Sequence, residues 1–201
     1  MDTDEIPVYY DAIIINFHGG GFLSGSSAVS RSQSFSYTIE TGLPVFTIDY
    51  RLAPENKFPD ALNDWWLAYL WILYYSEKYL RLVFGRVIWV GDSAGGNLAL
   101  GITNLAIQKR CHLPECVQLL YPNLCCSPLH FTPSLLISLD HPILSTTFLN
   151  LVLDSYATHE SILFNHHLLS PLFTPKHILK KYPKIRILIA GQDPLRDDCI
   201  K

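Results

Sequence analysis

Charged residues are scarce in this 201-residue sequence, and neither sign of charge dominates. Asp, Glu, Lys and Arg make up 16% of the chain, hydrophobic residues make up 49%, and the formal net charge is −3. Because basic residues do not cluster, no nucleic-acid partner is expected. The longest apolar stretch, residues 65–75, is too short to span a bilayer. No charged segment followed by an apolar run opens the sequence, so no secretion signal is expected.

Regular cysteine patterns are also missing. The five cysteines contain no C-x-x-C pair and no regular spacing, which is typical of reduced thiols in an intracellular protein. The pair His166-His167 has no second, suitably spaced ligand pair, so we expect no metal at this pair. Composition and length together predict one intracellular α/β domain spanning residues 1–201.

The most informative stretch is residues 86–99, where an apolar strand, a glycine-rich turn and a helix start follow one another. Val87–Val90 is β-branched and aromatic, as in a buried strand. Gly91-Asp92-Ser93-Ala94-Gly95 then forms a G-x-S-x-G turn, and its glycines leave room to present the Ser93 hydroxyl at a helix N-terminus. This is the pattern of a nucleophile elbow. Taken alone, the pentapeptide could equally be a glycine-rich connection with an incidental serine.

A second glycine-rich turn supplies the complementary half of such a site. Residues 12–17 predict another strand, and His18-Gly19-Gly20-Gly21-Phe22 follows it directly. Acyl transfer needs several N–H donors aimed at one oxygen, and glycine backbone can approach that closely. We therefore assign the oxyanion donors to the amides of Gly20, Gly21 and Ala94, with His18 in an orienting role. A phosphate-binding loop is disfavoured because neither G-x-G-x-x-G nor G-K-[ST] is present.

Elsewhere strand-like and helix-like patterns alternate, which predicts a mostly parallel sheet flanked by helices. Further strands are expected at 44–49, 116–122 and 185–190, and helices at 34–40, 60–79 and 96–108. Residues 123–183 contain six prolines and no alternating pattern, and we interpret them as a lid-like insertion. Several apolar side chains of this segment favour an apolar acyl ester as substrate: Phe131, Leu135, Leu136, Ile137, Phe148 and Leu149.

Three of these features lie just past the carboxyl end of a predicted strand, namely residues 18–21, Ser93 and Asp193. In a parallel sheet these ends share one edge, where ligands bind. A serine followed by an acid is the chain order of the α/β-hydrolase triad, so Asp193 is the candidate acid that would orient a histidine. Without that order, Asp193 would be interpreted as a helix N-cap.

Together, four ordered motifs resemble the hormone-sensitive lipase family of α/β-hydrolases: residues 18–22, 49–55, 91–98 and 193–198. Residues 133–144 and 170–172 are similar to the lipase branch of that family. The resemblance implies an α/β-hydrolase fold with Ser93 as nucleophile, Asp193 as triad acid and the three amides as oxyanion donors. It also implies hydrolysis of small neutral acyl esters through an acyl-enzyme without metal or cofactor, a cytoplasmic location and contact with lipid surfaces such as droplets. No motif specifies an oligomeric state.

Two departures from the family pattern qualify this expectation. The family's catalytic histidine lies some tens of residues beyond the acid, whereas none of the eight histidines here follows Asp193. The family's opening strands have no counterpart in residues 1–11. We therefore expect a fold incomplete at both ends and almost no turnover from these 201 residues. Three alternatives stay open: a receptor-like ligand-binding protein on the same fold, an inactive fragment, and rescue of Ser93 by an upstream histidine such as His166 or His167.

Overall fold

The computed structural model describes residues 6–157 and 165–201. Five strands form one sheet, every neighbouring pair is parallel, and the order is β2-β1-β3-β4-β5. The strands are β1 Val8–Phe17, β2 Val45–Thr47, β3 Leu82–Asp92, β4 Cys116–Leu120 and β5 Lys184–Leu188. The helices are α1 Arg31–Thr41, α2 Asp60–Leu80, α3 Ala94–Lys109, α4 Pro133–Ile137, α5 Thr146–Tyr156, a 3-10 helix Pro171–Phe173, α6 Lys176–Leu179 and α7 Arg196–Ile200. The predicted α/β-hydrolase fold is confirmed.

Two central strands, β1 and β3, begin earlier than the sequence predicts. They pair from Val8 with Leu82 to Phe17 with Gly91, although the predicted strands begin at residues 12 and 87. The first residues of β1 are exposed, with Val8 at 53%, so they carry no buried-strand signal. Each strand instead supplies the backbone hydrogen bonds of the other, which extends both beyond the core.

The core lies between the sheet and the pair α2 and α3. Phe17 of β1 stacks on Trp65 of α2 with ring centroids 3.9 Å apart, and Tyr69 meets Trp89 of β3 edge-on at 5.0 Å. Trp65 and Tyr69 lie four residues apart and so share the inward face of α2. The helix predicted over residues 60–79 therefore packs against the sheet through this face. None of the helices that the structure describes is long and apolar enough to cross a membrane.

The segment after β4 consists of loops and short helices in its described part. Residues 158–164 of the predicted lid-like insertion, including His159, lie outside the described residues. Helix α5 is anchored at its end by Tyr156, which is buried and stacks on Phe22 of the glycine loop at 3.9 Å. The backbone N–H of Phe58 donates to the Tyr156 carbonyl at 2.8 Å. This segment is therefore fixed beside the carboxyl edge of the sheet.

Candidate active site

Ser93 sits on a strained turn between β3 and α3. Its backbone dihedrals are φ 51° and ψ −117°, a conformation that costs a non-glycine residue of the order of 1–3 kcal/mol. The surroundings hold it there, because its N–H donates to the Leu120 carbonyl at 2.9 Å. Its own carbonyl accepts the Asn123 N–H at 3.0 Å. Both partners belong to the end of β4 and the residues just after it, so the neighbouring strand fixes the turn.

The two glycines that flank Ser93 permit close backbone approaches. A Cβ on Gly95 would overlap the carbonyl oxygen of Phe17, at the end of β1. A Cβ on Gly91 would lie 2.7 Å from the Gly95 carbonyl oxygen. The spacing of the G-x-S-x-G turn therefore reflects two points where a helix start meets strand ends with no room for a side chain.

The glycine loop after β1 is held against this turn. The N–H of Gly19 donates to Oδ1 of Asp92 at 2.9 Å. The Gly20 carbonyl accepts the N–H groups of Leu23 at 3.1 Å and Ser24 at 3.0 Å. Gly20 has a φ of 115°, which glycine adopts without steric cost. Burial raises the pKa of Asp92, and the hydrogen bond from Gly19 counteracts this effect.

Three backbone amides at this junction have no hydrogen-bond acceptor among the described residues. Within the described residues, the N–H groups of Gly20 and Gly21 donate no hydrogen bond. Ala94 is the first residue of α3, and the first amides of a helix have no partner within it. These are the three amides that the sequence predicts as oxyanion donors.

His18 lies behind the loop and does not line the cavity at Ser93. It is 3% exposed, its ring stacks on Tyr50 at 4.3 Å, and its Nδ1 donates to the Gly19 carbonyl at 2.9 Å. The Tyr50 hydroxyl donates to the His18 carbonyl at 3.1 Å. These contacts orient the loop and leave the ring no access to Ser93 through that cavity.

One cavity of about 540 Å³ brings the predicted reactive groups together. Its lining includes Ser93, Asp193 and the residues that carry the three free amides: Gly20, Gly21 and Ala94. Oδ1 of Asp193 accepts the Leu195 N–H at 2.8 Å, while Oδ2 has no partner among the described residues. One oxygen thus positions the carboxylate, and the other remains available to accept an N–H.

The predicted lid residues divide into three groups. Phe148 and Leu149 line the Ser93 cavity, together with Ile143, Leu144 and Val152, which sequence analysis missed. Phe131 and Leu135 line a neighbouring cavity instead. Leu136 and Ile137 are 54% and 77% exposed. The apolar wall of the Ser93 cavity is therefore built mainly from residues 143–152.

Sequence analysis also missed two ring side chains that line the cavity, Tyr121 and His141. Tyr121 lies directly after β4, and its position at a strand end could have marked it. His141 comes from the segment after α4, and nothing in its sequence surroundings indicates this placement. Its Nδ1 accepts the backbone N–H groups of Leu144 at 3.0 Å and Ile143 at 3.3 Å, so its proton lies on Nε2.

The structure does not bring His166 or His167 to Ser93. Nε2 of His167 is 2.7 Å from the side-chain amide of Gln108 on α3. His166 stacks on His167 with ring centroids 5.0 Å apart. Neither residue lines the Ser93 cavity. Among the histidines in the described ranges, His141 is the one that does.

Comparison with known proteins identifies the family of the chain. Residues 14–201 match the family model described as alpha/beta hydrolase fold, and the chain belongs to that family. Within it, human hormone-sensitive lipase is 35% identical over 146 residues, which is 73% of this chain and 13% of the lipase. Esterase LipI of Mycobacterium tuberculosis is 32% identical over 202 residues, which is 100% of this chain and 59% of the esterase. The chain is thus a member similar to hormone-sensitive lipase.

Solved structures show the same relationship. Carboxyl esterase 2 from Tuber melanosporum superimposes with a TM-score of 0.87 and 27% identity, covering 93% of this chain and 60% of that one. The esterase of Pyrobaculum calidifontis gives a TM-score of 0.84 and 29% identity, covering 98% and 60%. The chain spans 13% of the length of human hormone-sensitive lipase and 59% of the length of LipI.

Proposed function

We propose that this chain carries the nucleophile, the acid and the oxyanion site of a serine carboxylic-ester hydrolase. The observation that carries the proposal is the convergence of Ser93, Asp193 and the Gly20, Gly21 and Ala94 amides on one cavity. Lipases and esterases among the relatives, such as hormone-sensitive lipase and LipI, support the reaction class.

In this mechanism the Ser93 hydroxyl oxygen attacks the acyl carbon of the ester. The carbonyl oxygen becomes an oxyanion that accepts hydrogen bonds from the three amides. A histidine takes the serine proton and passes it to the leaving alcohol, while the free oxygen of Asp193 accepts the other ring N–H. Water then attacks the acyl carbon, the histidine takes a proton from the water and returns it to the Ser93 oxygen, and the carboxylic acid leaves.

The histidine of this scheme has no counterpart among the described residues. His141 lines the cavity, but its Nδ1 is taken by two backbone N–H groups. Its Nε2 therefore carries the proton and can donate but not accept. Without a general base the Ser93 hydroxyl is a weak nucleophile near neutral pH. We accordingly propose that residues 1–201 alone turn over esters very slowly.

The proposed substrates are neutral acyl esters with an apolar acyl chain. Ile143, Phe148 and Val152 supply an apolar wall to the cavity. No lysine or arginine is found among the described residues that line it, so a phosphate or carboxylate substrate would lack a counter-ion there. We also propose that the enzyme is cytoplasmic and contacts a lipid surface. The exposed side chains of Leu136 and Ile137, which precede the wall-forming residues 143–152 in the chain, support that contact.

The decisive experiment compares Ser93→Ala with wild type in the full-length gene product, using a short p-nitrophenyl ester. The variant should lose roughly 10⁴–10⁶-fold in kcat, the scale seen when a triad member is removed. Ser127→Ala is the matched control, because it deletes a hydroxyl from the neighbouring cavity and leaves the Ser93 cavity unchanged. Equal rates for wild type and Ser93→Ala would refute the assignment.

Fluorophosphonate labelling of residues 1–201 tests the proposed lack of a base. We expect slow, substoichiometric labelling of Ser93. Rapid labelling would show that a base is present, and its loss in His141→Ala would identify that base.

A ligand-binding protein on the same fold is the second candidate, because the described residues leave Ser93 without a base. It predicts saturable binding of an apolar ester by the full-length product with no turnover.

A further inference from the structure

A second cavity of about 390 Å³ lies beside the Ser93 cavity and shares residues such as Asn123 and Val152 with it. Cys125, His130 and Asp198 all line this second cavity. We propose that these three side chains bind one divalent metal ion of the Zn²⁺ type. The site is separate from the groups proposed to cleave esters, and the proposal does not depend on that activity.

The geometry favours a single shared ion. The ligand atoms of Cys125, His130 and Asp198 lie within 4.8 Å of one another, and side-chain rotation would have to bring each of them to the bond length of about 2.0–2.3 Å that Zn²⁺ requires. Nε2 of His130 is already 2.7 Å from Oδ1 of Asp198. Thiolate, imidazole and carboxylate are the three ligand types that zinc accepts in proteins.

Burial and charge also suit a cation at this point. Asp198 is 8% exposed, and a buried carboxylate needs a positive partner. The Lys201 ammonium group lies 3.4 Å from Oδ1 of Asp198 and 3.4 Å from Nε2 of His130. Its side chain is 50% exposed, so it can move into solvent when a metal ion arrives. One Zn²⁺ with one thiolate and one carboxylate carries no net charge.

A thiol nucleophile is the competing function for the same three residues. A nucleophilic thiol needs a base that takes its proton, and His130 instead directs its Nε2 to Oδ1 of Asp198 at 2.7 Å. A metal ion changes this balance because it replaces the thiol proton: Zn²⁺ bonds to sulfur, the S–H bond breaks and one proton passes to solvent.

The ion would join two parts of the molecule that are distant in sequence. Cys125 and His130 belong to the segment after β4, whereas Asp198 belongs to α7, which begins three residues after Asp193. In the described structure, Ser134 makes a related link, since its N–H donates to Oδ2 of Asp197 at 2.8 Å. Metal binding should therefore stabilise the chain around the predicted triad acid.

Cobalt titration of the purified, metal-free chain tests the proposal. We expect one equivalent of Co²⁺ to give a thiolate-to-cobalt charge-transfer band, with release of one proton per ion from the thiol. Zn²⁺ should abolish the band by competition and raise the melting temperature. Cys125→Ser should lose the band, and Asp198→Asn should weaken binding.

Cys111→Ser is the matched control, because Cys111 precedes β4 at the opposite end of that strand and should leave the band unchanged. Lys201→Ala should tighten binding, since it removes the competing cation, and circular dichroism shows whether each variant is folded. Ser93→Ala should bind cobalt normally, which separates this proposal from the esterase proposal. Absence of the band in wild type, or an unchanged band in folded Cys125→Ser, would overturn the metal site.

Discussion

The helix after Ser93 and the helices after β4 bury very different shares of their residues. α3 buries thirteen of its sixteen residues, whereas α5 buries two of eleven. The Ser93 turn is positioned by backbone contacts that leave no space for a side chain, as at Gly95 against Phe17. The apolar wall of the cavity is instead made by partly exposed side chains such as Phe148. The Ser93 turn is thus closely packed, while the apolar wall of the cavity is more exposed and should tolerate change.

Asn97 of α3 connects these two regions. It is 1% exposed, and its Nδ2 donates to the carbonyls of Asn123 at 2.9 Å and Leu169 at 2.8 Å. Asn104, two turns further along α3, donates to the His167 carbonyl at 2.8 Å. The loosely packed segment is therefore held to the rigid helix by buried amides, and this contrast can be tested at three positions.

The largest effect is expected from Gly95→Ala. The added Cβ would overlap the Phe17 carbonyl oxygen, and neither a strand end nor a helix start can move aside cheaply. We expect a loss of more than about 4 kcal/mol in unfolding free energy, or no soluble protein. Gly191→Ala is the control, because nothing lies within 4 Å of its added Cβ. If urea denaturation gave Gly95→Ala an unfolding free energy within about 1 kcal/mol of wild type, the turn would not be as closely packed as the structure indicates.

An intermediate effect is expected from Asn97→Ala. The change leaves two buried carbonyls without their donor, and each unmet group costs about 1–3 kcal/mol. We expect a loss of roughly 2–4 kcal/mol by chemical denaturation. Asn150→Ala on exposed α5 should change stability by less than about 0.5 kcal/mol. Equal effects of the two variants would mean that the buried amide does not join the two regions.

The parts of the site that sequence analysis predicted are those defined by local chain order. A strand, a glycine turn and a helix start place Ser93, and the same logic places residues 18–21 and Asp193 at one sheet edge. His141 and the Cys125, His130 and Asp198 cluster could not be found this way. Their positions depend on how the segment after β4 folds back, and no spacing or periodicity encodes that contact.

Strand length shows the same division. β2 is shorter than the strand predicted at 44–49 and runs from Val45 to Thr47. Three residues of β1 pair with it: Ile14, Ile15 and Asn16. β3 is instead longer than the predicted strand, because β1 continues beside it. Apolar runs therefore indicate where a strand is buried, whereas the neighbouring strand decides where it begins and ends.

The smallest effect on stability is expected at the exposed end of α4. Ile137 is 77% exposed and lines neither cavity, so Ile137→Ser should change unfolding free energy by less than about 0.5 kcal/mol. In the full-length product, hydrolysis of a water-soluble short ester should also be unchanged, because the reacting centre is untouched. Binding to neutral lipid emulsions should fall, since an exposed apolar contact is lost.

Val152→Ser, at a buried position of the cavity wall, should instead destabilise the protein, because it places an unpaired hydroxyl in apolar surroundings. If Ile137→Ser destabilised the protein as much as Val152→Ser, the exposed part of this segment would be structural, and the contrast with α3 would fail.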